Sequence, residues 1–206
     1  MPTIRAILFD FDGTLTRPEA LDFTHLRAVT GCPPGQPILE YLATVTDPTV
    51  RSQALQRLDE AELAAARRSA PNAGAVDLLA LCRRRALALG ILTRNTAAAV
   101  HAALATFPPG TAELFSVLVS RDHDLPPKPA PAGVTHACQI LRVPPQELLV
   151  VGDYLFDIDA GHHAGAWTAY LTNGHPLPVF TSTPDFVIQH LAELPTLPVF
   201  PATPVP

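Results

Sequence analysis

Five short apolar runs recur along the chain, at 4–9 (Ile-Arg-Ala-Ile-Leu-Phe), 88–92 (Ala-Leu-Gly-Ile-Leu), 115–119 (Phe-Ser-Val-Leu-Val), 148–151 (Leu-Leu-Val-Val) and 167–171 (Trp-Thr-Ala-Tyr-Leu). Near-continuous apolar runs of this length predict strands covered on both faces, as in parallel sheets. The segments between them suit helices. Residues 74–87 carry an apolar stripe of Val76, Leu79, Leu81 and Leu87, and 96–106 and 132–142 are alanine-rich or apolar-periodic. Strands alternating with helices predict an α/β fold with a doubly wound, mainly parallel sheet.

The rhythm breaks between the first two strands. From about residue 17 to 72 the pattern is almost wholly helical, with helices expected at 19–30, 36–46 and 49–69. Gly31-Cys32-Pro33-Pro34-Gly35 and Asp47-Pro48 separate them. One crossover helix needs far fewer residues, so a small all-helical cap inserted after the first strand is expected. The resulting division is a core of 1–16 and 73–194, a cap of 17–72 and a proline-rich tail of 195–206. Prolines 195, 198, 201 and 204 repeat every third residue, the period of a polyproline II helix, which predicts an extended tail lying on the surface.

Composition narrows the class. Of 206 residues, 48% are hydrophobic and 16% charged, enough apolar mass to bury a core and too much for a disordered chain. A net charge of −5 gives no electrostatic reason to bind nucleic acid. No apolar run approaches the roughly 20 residues that span a bilayer, so no membrane partner is expected. Carboxylates stand where a secretory signal would continue its apolar stretch, which predicts a cytoplasmic protein. Cys32, Cys82 and Cys138 form no metal-binding pair and read as buried, reduced thiols.

Candidate chemistry collects at the ends of the strands. Asp10-Phe11-Asp12-Gly13-Thr14-Leu15-Thr16 follows the first run directly, placing two carboxylates at i and i+2 after a buried strand. Such acids repel unless a proton or a cation intervenes. Thr93-Arg94-Asn95 follows the strand ending at Leu92. Lys128-Pro129 lies in the loop after the strand ending at Val119. Gly152-Asp153, with Asp157 four residues on, follows the strand ending at Val151. Ligands of parallel sheets bind beyond the carboxyl ends of the strands, and four strands deliver polar groups to that edge.

The set DFDGTLT (10–16), LT (92–93), KP (128–129) and GDYLFD (152–157) resembles the four motifs of the haloacid dehalogenase superfamily of phosphotransferases, in order and in spacing. The likeness spans about residues 4–190. Through SRDHDLPPKPAP (120–131) and VGDYLFDIDAGHHAGA (151–166) the chain is most similar to phosphoglycolate-phosphatase-like members, and the insertion sits where helical-cap members carry their cap.

The resemblance implies a Mg²⁺-dependent phosphatase acting on a small phosphorylated metabolite. It makes Asp10 the nucleophile and Asp12 the acid and base. Asp10, the backbone carbonyl of Asp12, and Asp153 would be the Mg²⁺ ligands. Thr93, with the backbone amide of Arg94, would bind a phosphoryl oxygen, and Lys128 would pair with both the phosphate and Asp10. Asp157 would orient Lys128 or a metal-bound water. Many relatives place Asn directly after the motif Thr. Here Arg94 intervenes, which leaves substrate contacts by Arg94 and Asn95 as open expectations. The second aspartate, Asp12, argues against dehalogenation, which needs no acid for the leaving group.

Other polar groups read more plainly. Arg83-Arg84-Arg85 and His162-His163 suit solvated helix faces, and Asp122 and Asp124 suit turns. Arg17, His25 and Arg27, at the hinge and first helix of the insertion, could touch substrate, but nothing in the sequence separates that from ordinary helix surface. A sugar phosphomutase would share all four motifs, and a non-catalytic binding protein could keep the fold. A receiver domain is disfavoured, because its phosphorylated acid follows a later strand. Oligomeric state has no signature in the sequence.

Overall fold

The computed structural model describes residues 3–205; residues 1–2 of the expected core and Pro206 of the expected tail lie outside them. Six parallel strands form one sheet in the order β3-β2-β1-β4-β5-β6. They are β1 (Ala6–Phe9), β2 (Ala88–Leu92), β3 (Phe115–Val119), β4 (Leu148–Gly152), β5 (Trp167–Leu171) and β6 (Phe186–Ile188). β1 lies at the centre, with Phe9 level with Ile91 of β2 on one side and Val151 of β4 on the other. The chain therefore turns outward in opposite directions at β1, which opens a crevice at its carboxyl end.

Alternation along β1 shows why the apolar runs are continuous. Ile7 and Phe9 point into one core and Ala6 and Leu8 into another, and all four are fully buried. The helices covering the sheet are α4 (Ala75–Arg84), α5 (Ala97–Leu104), α6 (Ala132–Leu141) and α7 (Leu155–Ala164). Leu79 and Val100 pack from α4 and α5 onto the first face, Val134 and Ala160 from α6 and α7 onto the second.

The insertion holds α1 (Phe23–Thr30), α2 (Ile38–Thr44) and α3 (Pro48–Ala66), each shorter than the apolar pattern suggests. Local chemistry sets the ends. Asp22 accepts from the amides of Thr24 and His25, so α1 starts there and not at 19, and Pro18–Ala20 form only a short turn. Asp47 caps α3 in the same way, with Pro48 at its first position. Leu26, Leu42, Ala54 and Leu58 give the three helices a small core of their own. The chain leaves and re-enters the sheet domain side by side: Arg17 N donates to Ala70 O, and Asn72 N to Leu15 O.

The proline-rich segment differs from the extended surface tail that its period predicts. Leu191–Thr196 form a 3-10 helix, and Val199 and Phe200 are buried in the core against the first face of the sheet. Ile4 N donates to Val199 O, and Val205 N to Arg85 O. Prolines spaced by three leave apolar residues between them, and burying those residues outweighs the tendency toward a free polyproline helix.

Candidate active site

β1 ends at Phe9, and the next residue, Asp10, projects into the crevice. A wide turn over Phe11–Leu15 follows, closed by Thr16 N donating to Phe11 O. The turn needs Gly13: its φ is +84°, and a Cβ there would collide with the Asp153 carboxylate. The absence of a side chain is what lets the loops after β1 and β4 touch. Thr14 completes the contact, its hydroxyl donating to Asp153 Oδ1 at 3.2 Å.

Lys128 is the hub. Its Nζ donates to Asp10 Oδ1 at 2.5 Å, to Asp157 Oδ1 at 2.5 Å and to Leu92 O at 2.9 Å, so the ends of β1 and β2 and the first turn of α7 meet on one buried ammonium. Burial alone lowers a lysine pKa, but the charges of Asp10 and Asp157 outweigh it and hold Lys128 above its usual value. The other oxygen of Asp157 accepts from Tyr154 N at the start of α7. Gly152 makes room for this carboxylate, which a Cβ at that position would strike.

One ammonium does not neutralise the site. Carboxylate oxygens of Asp10, Asp153 and Asp157 lie within 4.8 Å of one another. Burial first, and the neighbouring charge of Asp10 next, push Asp153 well above the ordinary aspartate range. The same two causes raise the Asp12 carboxyl to about 7, against the Asn95 hydrogen bond. Buried acids with this excess of negative charge fit a hard divalent cation with oxygen ligands, such as Mg²⁺. Asp10 and Asp153 each keep one carboxylate oxygen free of hydrogen bonds to hold it, whereas both oxygens of Asp157 are taken, by Lys128 and by Tyr154 N.

The structure brings the expected site residues together, Arg94 and Asn95 included. Asp10, Asp12, Thr93, Lys128, Asp153 and Asp157 all line a single cavity of about 350 Å³ between sheet edge and insertion. Asn95, expected to reach substrate, directs its amide to Asp12 Oδ2 at 3.0 Å. Arg94, whose contact with substrate the sequence leaves open, bonds through Nη2 to both oxygens of Glu40 on α2, at 2.7 and 2.6 Å, and lies 5.0 Å over the Phe156 ring. Opposite charges on the insertion offer it a stronger fixed partner than open solvent.

Several contributors escape sequence reasoning. Arg121 bonds to Glu62 and Asp59 of α3 and to Arg94 O, tying the loop after β3 to the insertion. Asn72 and Asn173 hold the backbone of the Asp10 turn. Only the boundary position of Asn72, where the insertion ends, hints at its role.

A six-stranded sheet of this order with four motifs at its carboxyl edge defines a known family. Residues 4–165 match the family model described as a haloacid dehalogenase-like hydrolase, and the chain belongs to that family. The uncharacterized hydrolase YOR131C of Saccharomyces cerevisiae is 30% identical over 93% of this chain and 89% of its own. N-acetylmuramic acid 6-phosphate phosphatase of Pseudomonas aeruginosa is also 30% identical, over 93% of each. In fold, the chain is similar to CbbY of Rhodobacter sphaeroides, solved with xylulose-(1,5)bisphosphate, at 24% identity. That match has a TM-score of 0.75 and covers 93% of this chain and 96% of CbbY.

Proposed function

We propose that this chain, a phosphatase of the haloacid dehalogenase-like family, hydrolyses a small-molecule phosphate monoester in two steps through an aspartyl-phosphate on Asp10. The observation that carries the reading is the grip of Lys128 on Asp10 and Asp157 beside Asp153, with Asp12 and Thr93 in the same cavity. Relatives named as phosphatases, among them the N-acetylmuramic acid 6-phosphate enzyme, support it.

In the first step the free oxygen of Asp10 attacks phosphorus, and the ester oxygen leaves. Asp12, held by Asn95, donates a proton to that oxygen. In the second step Asp12 takes a proton from water as the water attacks the same phosphorus, which returns Asp10 to its carboxylate. Lys128 offsets charge on the phosphoryl oxygens, and the Thr93 side chain, which lines the cavity, would hydrogen-bond one of them. Bound Mg²⁺, held by Asp10 and Asp153 with the carbonyl of Asp12, would supply Lewis-acid stabilisation and shield the phosphate from the acids.

The apolar wall formed by Leu21, Leu26, Ile38 and Leu58 of the insertion closes over the acids and favours a small substrate over a protein chain. Turnover of a generic aryl phosphate tests the proposal. Activity is expected with Mg²⁺ and is expected to vanish with a chelator or with Asp10→Asn. Equal activity under all three conditions would defeat it.

A further inference from the structure

We infer that Arg27 recognises a second oxyanion on the substrate, a carboxylate or phosphate at the end remote from the ester that is cleaved. The inference rests on the phosphatase reading and specifies what that site selects. Arg27 lies on α1 and lines the same cavity as Asp10 and Lys128. Two other arginines line it, and both are committed: Arg94 to Glu40, Arg121 to Asp59 and Glu62. Arg27 has no acidic partner among the described residues. Its Nη1 makes one long bond, 3.4 Å to Phe23 O one turn back, and its Nε is buried with no acceptor.

An orphaned Nε is costly on a side chain that could swing outward, because burial removes water from a donor without replacing it. The arrangement makes sense when a ligand supplies the acceptor. A guanidinium offers Nε and one Nη side by side, the spacing that two oxygens of a carboxylate or phosphate satisfy together. The surrounding insertion wall, with Leu21, Phe23 and Leu26, is apolar and strengthens such a pair. The phosphate that reacts does not need this cation, since Lys128 and the metal site serve it.

Three esters on a common three-carbon chain test the inference, one ending in a hydroxyl, one in a carboxylate and one in a second phosphate. With Mg²⁺, wild type is expected to favour at least one oxyanion-ended ester over the hydroxyl-ended one by about tenfold or more in kcat/KM. Which of the two is preferred identifies the oxyanion. In Arg27→Gln that ratio is expected to fall about tenfold to a hundredfold, through KM. Arg27→Lys, which keeps the charge and loses the fork, is expected to give an intermediate ratio. Because a ratio is read, a poorly folded fraction cancels. A wild-type ratio near one, or equal loss on all three esters in Arg27→Gln, would overturn the inference alone. No turnover of any ester by wild type would overturn the phosphatase reading and this one with it.

Discussion

Asn72 and Asn173, separated by 101 positions in the chain, form one amide unit beneath the Asp10 turn: Asn72 Nδ2 donates to Asn173 Oδ1 at 3.0 Å, and both side chains donate to Gly13 O. Asn72 also reaches Thr14 O at 2.9 Å. The carbonyls of the turn are thereby fixed from outside the strand that leads into Asp10, by the residue at which the insertion re-enters the core.

Replacing Asn72 by Ala removes three donor contacts at once. It is expected to cost about 1–3 kcal/mol of stability, measured by urea unfolding, and to lower kcat more than it raises KM. Asn72→Asp, which sets an acceptor against three acceptors, is expected to be worse on both counts. Unchanged kcat in both variants would remove the turn from any positioning role.

The Arg121–Glu62 pair offers a second measurement. Burial holds the Glu62 carboxyl above its ordinary range, and the Arg121 hydrogen bond and charge only partly oppose it. A carboxyl raised on folding favours the folded state below the ordinary glutamate value, and that contribution is lost as pH rises through the raised one. Wild type is therefore expected to lose stability relative to Glu62→Gln as pH climbs from acid toward neutral. Arg121→Met strands the buried acid and is expected to cost about 3–5 kcal/mol. Adding Glu62→Met to it is expected to recover most of the loss.

Gly152→Ala tests the space given to Asp157. The added methyl lies where the carboxylate now sits, so Asp157 must turn away and release Lys128. A displacement of about 1 Å in such a site costs about a hundredfold in rate, which steady-state turnover would show. Near-normal turnover would mean that Asp157 is not needed to aim Lys128.

Cys82 is fully buried, and burial pushes its thiol up to about 12. Only about one thiol in ten thousand is ionised at pH 8, so iodoacetamide is expected to leave it intact in folded protein and modify it in urea, read by mass spectrometry. The protonated thiol favours the folded state below the reference value of 9.0, and that contribution fades as pH rises toward about 12. Cys82→Ala is expected to soften the alkaline decline in stability.

Much of this was legible in the residues. The runs around Ile7 and Leu89 declared a sheet buried on both faces, and the polar residues after four of those runs located the crevice. Strand β6 is three residues long, Phe186–Ile188, too short to show a period. The partners that fix the site are a different matter. Glu40 with Arg94, Glu62 with Arg121, and Asn173 with Gly13 pair across 54, 59 and 160 positions. Each is an ordinary polar residue on an exposed-looking stretch, and only the folded path gives it a neighbour. Val199 and Phe200 were hidden for a related reason, since two apolar residues between prolines carry no pattern of their own.

The three-way hold on Lys128 sets a limit on how the molecule comes to life during synthesis. Asp10 emerges first and Lys128 more than a hundred positions later, yet Lys128 lacks its full set of contacts until α7 is made and docked. A nascent chain stopped short of that helix would carry most of the reactive groups and have no means of aiming them, so activity should switch on late and in a single event.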